Sequence, residues 1–426
     1  MRDEASGHGS RVTSRALPSP VGDVARRGRR GPLLGRSPAL DGLRGLALVW
    51  VVAYHFTGAN GPFPGAWIGL DVFFVLSGFL ITAMLLDERR VLGRVSLPLF
   101  YARRACRLLP ALFVMLAVWT AMLLAFHDTT WFAATPGGAR TGDPVELGGA
   151  FWQLGVTLAY GANWIYALDS GRAPLAHLWS LAVEEQFYVV WPFLLLALLA
   201  LLRHRGRLGV VLGLAGVSAL LPWLYWDGGA GNDRIYFGTD TRAVGMLLGA
   251  AAALVWHRRR SLLAAGERVR AARWPVARAW AGTALLATFL FTVANVPAKF
   301  LVGPALMGLA AMQVISHLVD APQGRMARLL DGRVLVWLGQ RSYAVYLWHY
   351  LFATWLHPLP DVVYIPVGVA ASLLVAHLSW VLIERPVLRW GRRFRPVPQD
   401  RARAVPASAP PPVGASTGGH ASARAA

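Results

Sequence analysis

The sequence predicts an all-α membrane protein, a polytopic helical bundle with about ten transmembrane helices and one re-entrant or interfacial segment. Hydrophobic residues make up 55% of the 426 residues and charged residues 15%, compared with about 25% charged residues in soluble domains. Eleven long runs contain no Asp, Glu, Lys or Arg. The basic residues are concentrated in every second connection between these runs, as in proteins that cross a membrane repeatedly.

The composition argues against two other classes of protein. A net charge of +20 is typical of nucleic-acid binding, but such proteins carry basic stripes on polar folds, whereas here the basic residues punctuate apolar runs. The 18 Trp and 18 Phe offer too much surface to bury for a wholly disordered chain. We therefore expect membrane lipids, and no nucleic acid, among the partners of this chain.

The chain is expected to have three parts. Residues 1–37 are rich in Arg, Gly, Ser and Pro and predict a disordered cytoplasmic tail. Residues 38–388 hold all the apolar runs and predict one membrane domain. Residues 389–426 are rich in Pro and Ala and predict a second disordered cytoplasmic tail.

The apolar runs define the candidate spans. Most of them supply the roughly 20 residues that a helix needs to cross about 30 Å of hydrocarbon. The runs are 45–70, 72–86, 108–127, 147–168, 186–202, 208–226, 243–257, 279–298, 300–319, 342–360 and 362–383.

The basic residues predict the orientation in the plasma membrane, because cytoplasmic connections hold the excess of Lys and Arg. Of the 42 basic residues, 37 lie in one set of alternate connections that includes both tails. The opposite set holds only Arg140, Arg172, Arg234, Arg242 and Lys299. Both termini are therefore expected in the cytoplasm, so the number of crossings must be even.

One of the eleven runs must then fail to cross, and 147–168 is the candidate. Both of its flanks belong to the set that is poor in basic residues, and Gly155, Gly161 and Asn163 interrupt it. A re-entrant segment of this kind is tolerated where protein or water covers its backbone.

Several ionisable residues fall inside predicted spans, where they are costly and therefore candidates for function. His55 follows Arg44 by eleven residues, about 16 Å along a helix, which places it in the outer half of the first span. Asp71 opens the second span from the same outer side. His349 lies about twelve residues beyond the cytoplasmic end of its span, with Tyr346 on the same helical face.

Three further pairs of residues fall within the predicted spans or at their ends. Glu184 and Glu185 point about 100° apart on a helix, so at most one of them is expected to face the cavity of His55 while the other pairs with a neighbouring span. Asp240 and Arg242 are expected to pair with each other. Ser77 and Gly78 are small residues suited to close helix packing.

Arg104 and Arg107 lie on the cytoplasmic side of the third span. Their spacing places both guanidinium groups on one helical face, which suits a phosphorylated ligand, although most arginines at such positions only anchor the loop. The sequence shows no metal-ligand cluster, P-loop or dinucleotide-type glycine motif, so no metal and no permanently bound cofactor are expected.

Seven ordered blocks between residues 38 and 388 resemble the acyltransferase 3 family of integral-membrane O-acyltransferases. The blocks are Arg44 with ten residues before His55, FFVLSGFLIT at 73–82, Arg104-x-x-Arg107, HLWSLAVEEQFYVVWP at 177–192, GTDTRA at 238–243, SYAVYLWHY at 342–350 and ERP at 384–386. Val244 departs from the family pattern, in which an acid often follows the GTDTRA block. Because residues 389–426 predict a disordered tail, we expect no extracytoplasmic hydrolase-like domain of the kind that some relatives append.

The resemblance implies transfer of an acyl group, often acetyl, from a coenzyme A thioester to a hydroxyl of a surface glycan or another carbohydrate or glycolipid. It implies that Arg44 and His55 are an essential pair and that Arg104 and Arg107 hold the phosphates of the donor. Combined with the placement of the residues, it predicts that His55, oriented by Glu184 or Asp71, acts as general base or carries the acyl group transiently. We favour the general base, with His349 as the next candidate.

Two other functions remain open at this stage. The acceptor could be a small secondary metabolite such as a macrolide, as for some relatives. A transporter or flippase with buried charges along its path is the second alternative, but it predicts matching broken helices in two halves, and no such repeat is visible. The oligomeric state is not predicted.

Overall fold

The computed structural model describes residues 32–35, 37–58, 61–126, 147–168, 175–228, 232–267, 276–291 and 298–394. Helices are the only regular secondary structure in these residues, which confirms the all-α fold class. The predicted tails lie mostly outside the described residues. The helical structure continues to Phe394, and the boundary at residue 388 stays a prediction.

The helices are numbered here in chain order. They are α1 (Pro38–Thr57), α2 (Gly69–Leu92), α3 (Leu97–Phe126), α4 (Leu147–Leu158), α5 (Ala162–Leu168), α6 (Trp179–Leu201), α7 (His204–Tyr225), α8 (Asp233–Phe237), α9 (Thr239–Ala264), α10 (Val276–Leu290), α11 (Ala298–Leu301), α12 (Gly303–Asp320), α13 (Arg325–Leu330), α14 (Arg333–Gln340), α15 (Ser342–Trp355), α16 (Asp361–Ser379) and α17 (Arg385–Trp390). Short 3₁₀ turns at Ala66–Ile68 and Ala176–Leu178 precede α2 and α6, and a π-helical turn, Trp380–Glu384, joins α16 to α17.

Six helices in the described part of the chain are long and apolar enough to cross a membrane: α1, α2, α3, α6, α7 and α16 with its continuation. The remaining four predicted crossings fall on α9, α10, α12 and α15, so the count of ten stays a prediction. The buried fraction differs widely from one span to another. In α2, 83% of the apolar window is buried, compared with 22% in α7, so α2 lies inside the bundle and α7 at its periphery.

The run 147–168 is divided into α4 and α5, as its glycines suggested. The chain turns at Tyr160, which has a φ of 53° in the left-handed region, and continues through Gly161. Because α4 has 12 residues, it is only about 18 Å long, too short to cross the hydrocarbon. The fully buried Asn163 of α5 donates hydrogen bonds to the Phe237 carbonyl oxygen (3.0 Å) and to Thr239 Oγ1 (2.9 Å), which fixes the segment against α8 and α9.

Glycines allow α2 to approach α9 at backbone distance. A Cβ atom built on Gly78 would lie 1.9 Å from the carbonyl oxygen of Met246, and one built on Gly249 would lie 2.1 Å from that of Val75. The two helices therefore interlock through both glycines, in the manner of the small-residue contacts that hold membrane helices together. The predicted packing role of Gly78 is confirmed by this contact.

A second close contact joins α1 to α14. A Cβ atom on Gly45 would lie 2.1 Å from the carbonyl oxygen of Leu335, and one on Gly339 would lie 1.8 Å from that of Asp41. This contact positions the first part of α1, from which Arg44 projects, against the helix that leads into α15.

The first prediction concerns this packing. Gly78→Ala should lower the free energy of unfolding by about 1 to 3 kcal/mol, because the added methyl group forces two backbones apart. Gly213→Ala in α7 is the matched control, since nothing lies within 4 Å of its Cβ position. The control should gain about 0.5 to 1 kcal/mol as a mid-helix glycine replaced by alanine. Thermal unfolding of both purified variants in detergent measures the difference, and equal melting temperatures would contradict the contact.

Candidate active site

A cavity of about 720 Å³ runs along one side of α2. Its lining includes Leu70 near the start of α2 and Leu92 at its end, two positions about 33 Å apart along a helix. The cavity therefore extends through most of the thickness of the bundle. We call the end near Leu92 the basic end, because Arg103 and other arginines surround it, and the opposite end, near Leu70, the histidine end.

Four arginines line the cavity towards the basic end: Arg44 from α1, and Arg103, Arg104 and Arg107 from α3. Their charges are compensated unequally. Arg104 Nη2 lies 2.6 Å from Glu185 Oε1, and its guanidinium carbon lies 3.3 Å from the centre of the Tyr188 ring. Arg44 and Arg107 make no side-chain hydrogen bond or ion pair with any described residue. The cavity thus presents two guanidinium groups with free donors.

The structure brings together both arginines predicted from their spacing on α3. Arg44, which the resemblance pairs with His55 as essential, lies at this end of the cavity as its position in the sequence predicted. Arg44 lines the cavity beside the α3 arginines and is close enough to Arg107 for their charges to repel. Within this cluster α6 supplies a direct counter-ion only to Arg104, so an anionic ligand would have favourable contacts with the other two guanidinium groups.

Glu184 and Glu185 diverge, as their helical geometry predicted. Glu185 forms the ion pair with Arg104 of the neighbouring span. Glu184 lines the cavity, and its Oε1 accepts hydrogen bonds from the hydroxyl groups of Ser77 and Tyr188. Glu184 is therefore engaged with α2 and with its own helix, and it does not contact His55.

The partner of His55 is His349, at the histidine end. Nδ1 of His55 lies 3.0 Å from Nε2 of His349, and the two ring centres are 4.9 Å apart. His349 is fully buried. A third histidine, His177, has its ring centre 5.9 Å from that of His349 and stacks on Tyr350 at 4.5 Å. Residues from α1, α15 and the turn before α6 thus meet in one cluster.

Tyr346 connects this cluster to the cavity. Its side chain lines the cavity, and its ring centre lies 5.5 Å from that of His349, one helical turn further along α15. Its hydroxyl donates to the carbonyl oxygen of His177 and is hydrogen bonded to Ser180, another cavity residue. The histidine pair therefore lies just behind the wall at the end of the cavity, as the shared face of Tyr346 and His349 suggested.

Asp71 is not the partner that orients His55. Its Oδ1 lies 3.0 Å from Arg242 Nη2, and both side chains are almost fully buried. The rings of Phe74, Trp179 and Tyr236 surround the same guanidinium at 5.3 to 5.6 Å. A guanidinium cannot lose its proton inside a protein, so its burial requires a carboxylate, and α2 provides the one within reach.

One further pairing expected from sequence is wrong. Asp240 does not pair with Arg242. It lies at the start of α9, partly exposed, where it forms an ion pair with Arg234 at 2.6 Å. His257 also has an acidic partner, since its Nε2 lies 3.2 Å from Oδ1 of Asp87.

The mouth of the cavity at the basic end is framed by two consecutive carboxylates of α2. The carboxylate of Asp87 accepts hydrogen bonds from the backbone N–H groups of Leu33 (3.0 Å) and Leu34 (2.9 Å). Glu88 pairs with Arg103 at 2.7 Å. The same guanidinium donates to the carbonyl oxygen of Phe394 at 3.0 Å. The first and last described segments of the chain are thus both tied to the rim.

Sequence analysis missed three residues of this site. Ser77 was interpreted as a packing residue like its neighbour Gly78, but its hydroxyl bonds Glu184 and Tyr188. Tyr188 was not considered, although it lies one turn after Glu184 and shares its face. His177 appeared only as the first residue of the block at 177–192. In the described part of the chain, no group of three or more His, Cys, Asp and Glu is arranged to hold a metal ion.

A bundle of membrane-spanning helices with arginines and a histidine pair at the two ends of a long cavity fits an integral-membrane acyltransferase. A sequence model of the acyltransferase 3 family, described as an acyltransferase domain, matches residues 37–383. The chain therefore belongs to this family, whose members transfer groups other than amino-acyl groups.

The individual proteins that this chain resembles are also named as acyltransferases. The chain is 33% identical to the peptidoglycan O-acetyltransferase OatA of Listeria monocytogenes over 377 residues, which cover 83% of this chain and 56% of that protein. It is 33% identical to the putative peptidoglycan O-acetyltransferase YrhL of Bacillus subtilis, over 84% of this chain and 55% of the relative. It is 30% identical to a putative O-acetyltransferase of Staphylococcus aureus, over 83% of this chain and 58% of the relative.

The chain spans little more than half the length of these curated relatives. No solved structure matches it significantly.

The second prediction tests the assignment of Asp71. Asp71→Asn should lower the free energy of unfolding by about 3 to 5 kcal/mol, because it leaves the buried Arg242 without a counter-ion. Replacing both residues by leucine should restore part of this loss, since no buried charge then remains. Asp361→Asn, at an exposed carboxylate, is the control and should leave the melting temperature unchanged. If the double leucine variant lost as much stability as Asp71→Leu and Arg242→Leu lose together, the two side chains would not act as a pair.

Proposed function

We propose that this protein is an integral-membrane O-acetyltransferase that moves an acetyl group from a cytoplasmic coenzyme A thioester to a hydroxyl of a carbohydrate or glycolipid. The observation that carries the proposal is the cavity itself. It has unpartnered guanidinium groups at one end and, next to the other, a pair formed by the half-buried His55 and the fully buried His349. The acetyl group is favoured over longer acyl groups because the similar proteins are named O-acetyltransferases.

Donor binding would use the arginines near the basic end. The cavity volume lies within the roughly 300 to 1,000 Å³ of typical small-molecule sites. Guanidinium groups bind phosphate oxygens in a bidentate way, and Arg44 and Arg107 have the donors free to do so. Arg104 also faces the cavity, but Glu185 already compensates its charge, so we assign it the smaller share of the phosphate contact.

The elongated shape of the cavity suits a donor with its charge at one end and its reactive group at the other. With the phosphates at the arginines, the pantetheine arm would extend along α2 towards Ser180 and Tyr346. The thioester would then lie beside Tyr346, next to the histidine pair. This placement separates the charged nucleotide from the site of acyl transfer by much of the thickness of the bundle.

The chemistry would be general-base catalysis by His55. Its imidazole takes the proton from the acceptor hydroxyl as the oxygen attacks the thioester carbonyl. The carbon–sulfur bond then breaks, and the imidazolium returns the proton to the departing thiolate. The products are the oxygen ester and free coenzyme A, so protons and electrons balance without a further reactant.

The distribution of basic residues supports one orientation in the membrane. We place both termini and the basic end of the cavity in the cytoplasm, where coenzyme A thioesters are present, and the protein in the plasma membrane. The acceptor would then approach the histidine end from the outer side. A cell-wall glycan is the acceptor class that the names of the relatives suggest, and a small secreted metabolite is the alternative.

The third prediction tests the transfer reaction in the cell. Mass spectrometry of surface glycans, lipids and secreted metabolites should find one class that loses an acetyl increment when this protein is deleted. Wild-type protein should restore the increment, and His55→Ala, expressed at the same level, should restore less than about 1% of it, since general-base catalysis contributes about 10²- to 10⁴-fold. Restoration by His55→Ala would remove His55 from the reaction. No loss in any class would contradict the proposed function.

The fourth prediction concerns the donor. Arg107→Ala should raise the KM for the coenzyme A thioester about 10- to 100-fold, because one charge-assisted contact contributes about 1.5 to 3 kcal/mol and 1.4 kcal/mol equals a factor of ten. Arg107→Lys should recover part of the loss, since it restores the charge but not the bidentate geometry. A short thioester without the nucleotide should show no change in KM.

Two controls separate donor binding from effects on membrane insertion. Arg328→Ala removes an exposed arginine from α13 and should leave the donor KM unchanged. Sealed vesicles test the orientation, because a coenzyme A thioester cannot cross the bilayer. Inside-out vesicles should consume an externally added donor and right-side-out vesicles should not. The opposite sidedness would overturn the proposed topology.

A further inference from the structure

The hydrogen bonds around His349 determine which of its nitrogens carries the proton. Nδ1 of His349 lies 2.8 Å from the carbonyl oxygen of Tyr346 and 3.1 Å from that of Val345. A carbonyl oxygen can only accept, so Nδ1 must be the protonated nitrogen that donates. In a neutral imidazole, Nε2 is then unprotonated and presents a lone pair.

That lone pair in turn determines the state of His55. Nε2 of His349 lies 3.0 Å from Nδ1 of His55, and a lone pair at this distance requires a donor opposite it. Nδ1 of His55 must therefore carry the proton, which leaves Nε2 of His55 free to accept one. The opposite tautomers would turn the unprotonated Nδ1 of His349 towards two carbonyl oxygens, where lone pairs repel.

We infer that His349 is a positioning residue, which holds His55 in the tautomer whose Nε2 accepts the proton of the acyl acceptor. This inference rests on the proposed role of His55 as general base. His349 itself is not available as the base, because one ring nitrogen donates to the backbone of α15 and the other accepts from His55. His55 on α1 is therefore the reactive imidazole, and His349 on α15 is the fixed imidazole that orients it.

The hydrogen bond between the two histidines also does not need to change during the reaction. When Nε2 of His55 takes the proton, Nδ1 keeps its own proton and its hydrogen bond to His349. When Nε2 passes the proton to the departing thiolate, the original tautomer returns. A neutral partner suits this cycle, because a buried carboxylate beside His55 would itself need a counter-charge in the bundle.

Two substitutions at the same position separate this role from simple packing. His349→Gln keeps an oxygen acceptor near the place of Nε2, whereas His349→Phe keeps a ring of similar volume but has no acceptor. We expect His349→Phe to lower kcat about 10- to 100-fold, as for other residues that orient a reactive imidazole. We expect His349→Gln to remain within about tenfold of wild type, with the donor KM unchanged in both variants.

Which of the two variants is the more active decides whether His349 positions His55 or only fills space. If His349 only fills space, the phenylalanine variant should be the more active of the two, and that result would overturn the inference. His317→Phe is the matched control, because it replaces a buried histidine of α12 that touches neither the cavity nor the histidine pair. It should keep wild-type kcat.

A double variant gives an independent kinetic test. Adding His349→Phe to His55→Ala should cause no further loss, because a residue that acts through His55 has no effect once His55 is gone. A multiplicative loss in the double variant would show that His349 acts independently and would overturn the inference. Thermal unfolding of each variant confirms that the purified protein is folded.

The tautomer can also be observed without any substrate. The ¹⁵N NMR spectrum of histidine-labelled protein in nanodiscs, with the His55 signals assigned by difference from His55→Gln, should show a protonated Nδ1 and an unprotonated Nε2. His349→Phe should shift His55 towards the other tautomer, and His349→Gln should not. A protonated Nε2 in the wild-type protein would overturn the inference. If the wild-type protein transferred no acyl group, the proposed function would fail, but this spectrum would still decide the role of His349.

Discussion

The need to compensate arginine charge inside an apolar bundle determines which polar residues meet in this structure. A guanidinium stays protonated in a protein, so each one within the helices requires a carboxylate, an aromatic face or a ligand. Arg242 has Asp71 and three aromatic rings, and Arg104 has Glu185 and Tyr188. The carboxylates nearest the histidine pair therefore already bind cations or hydroxyl groups. His55 is left with a neutral partner, the second histidine.

Much of the fold and part of the site could be predicted from local sequence. Charge-free runs mark the helices, and interrupting glycines mark the division of 147–168. Counting residues along a span placed His55 and His349 near the same end, and helical spacing placed Arg104 and Arg107 on one face. These predictions succeeded because each depends on residues within a single helix.

The partners of the buried groups could not be predicted, because each pair joins distant parts of the chain. Arg104 and Glu185 are 81 residues apart, and His55 and His349 are 294 residues apart. Such pairs depend on the rotation of each helix, which packing sets. In α2, the contact of Gly78 with α9 turns the preceding residue, Ser77, towards Glu184. Sequence alone assigned both residues to packing, since the rotation of α2 is fixed only by its neighbours.

The carboxylates at the rim of the cavity have a mechanical consequence. Asp87 and Glu88 are adjacent on α2, yet one is hydrogen bonded to the first described segment of the chain and the other, through Arg103, to the last. The two ends of the membrane domain therefore meet at one turn of one helix. Tension applied to either end of the chain, by a partner or by a fused protein, is transmitted first to the entrance of the cavity and only then to the rest of the bundle.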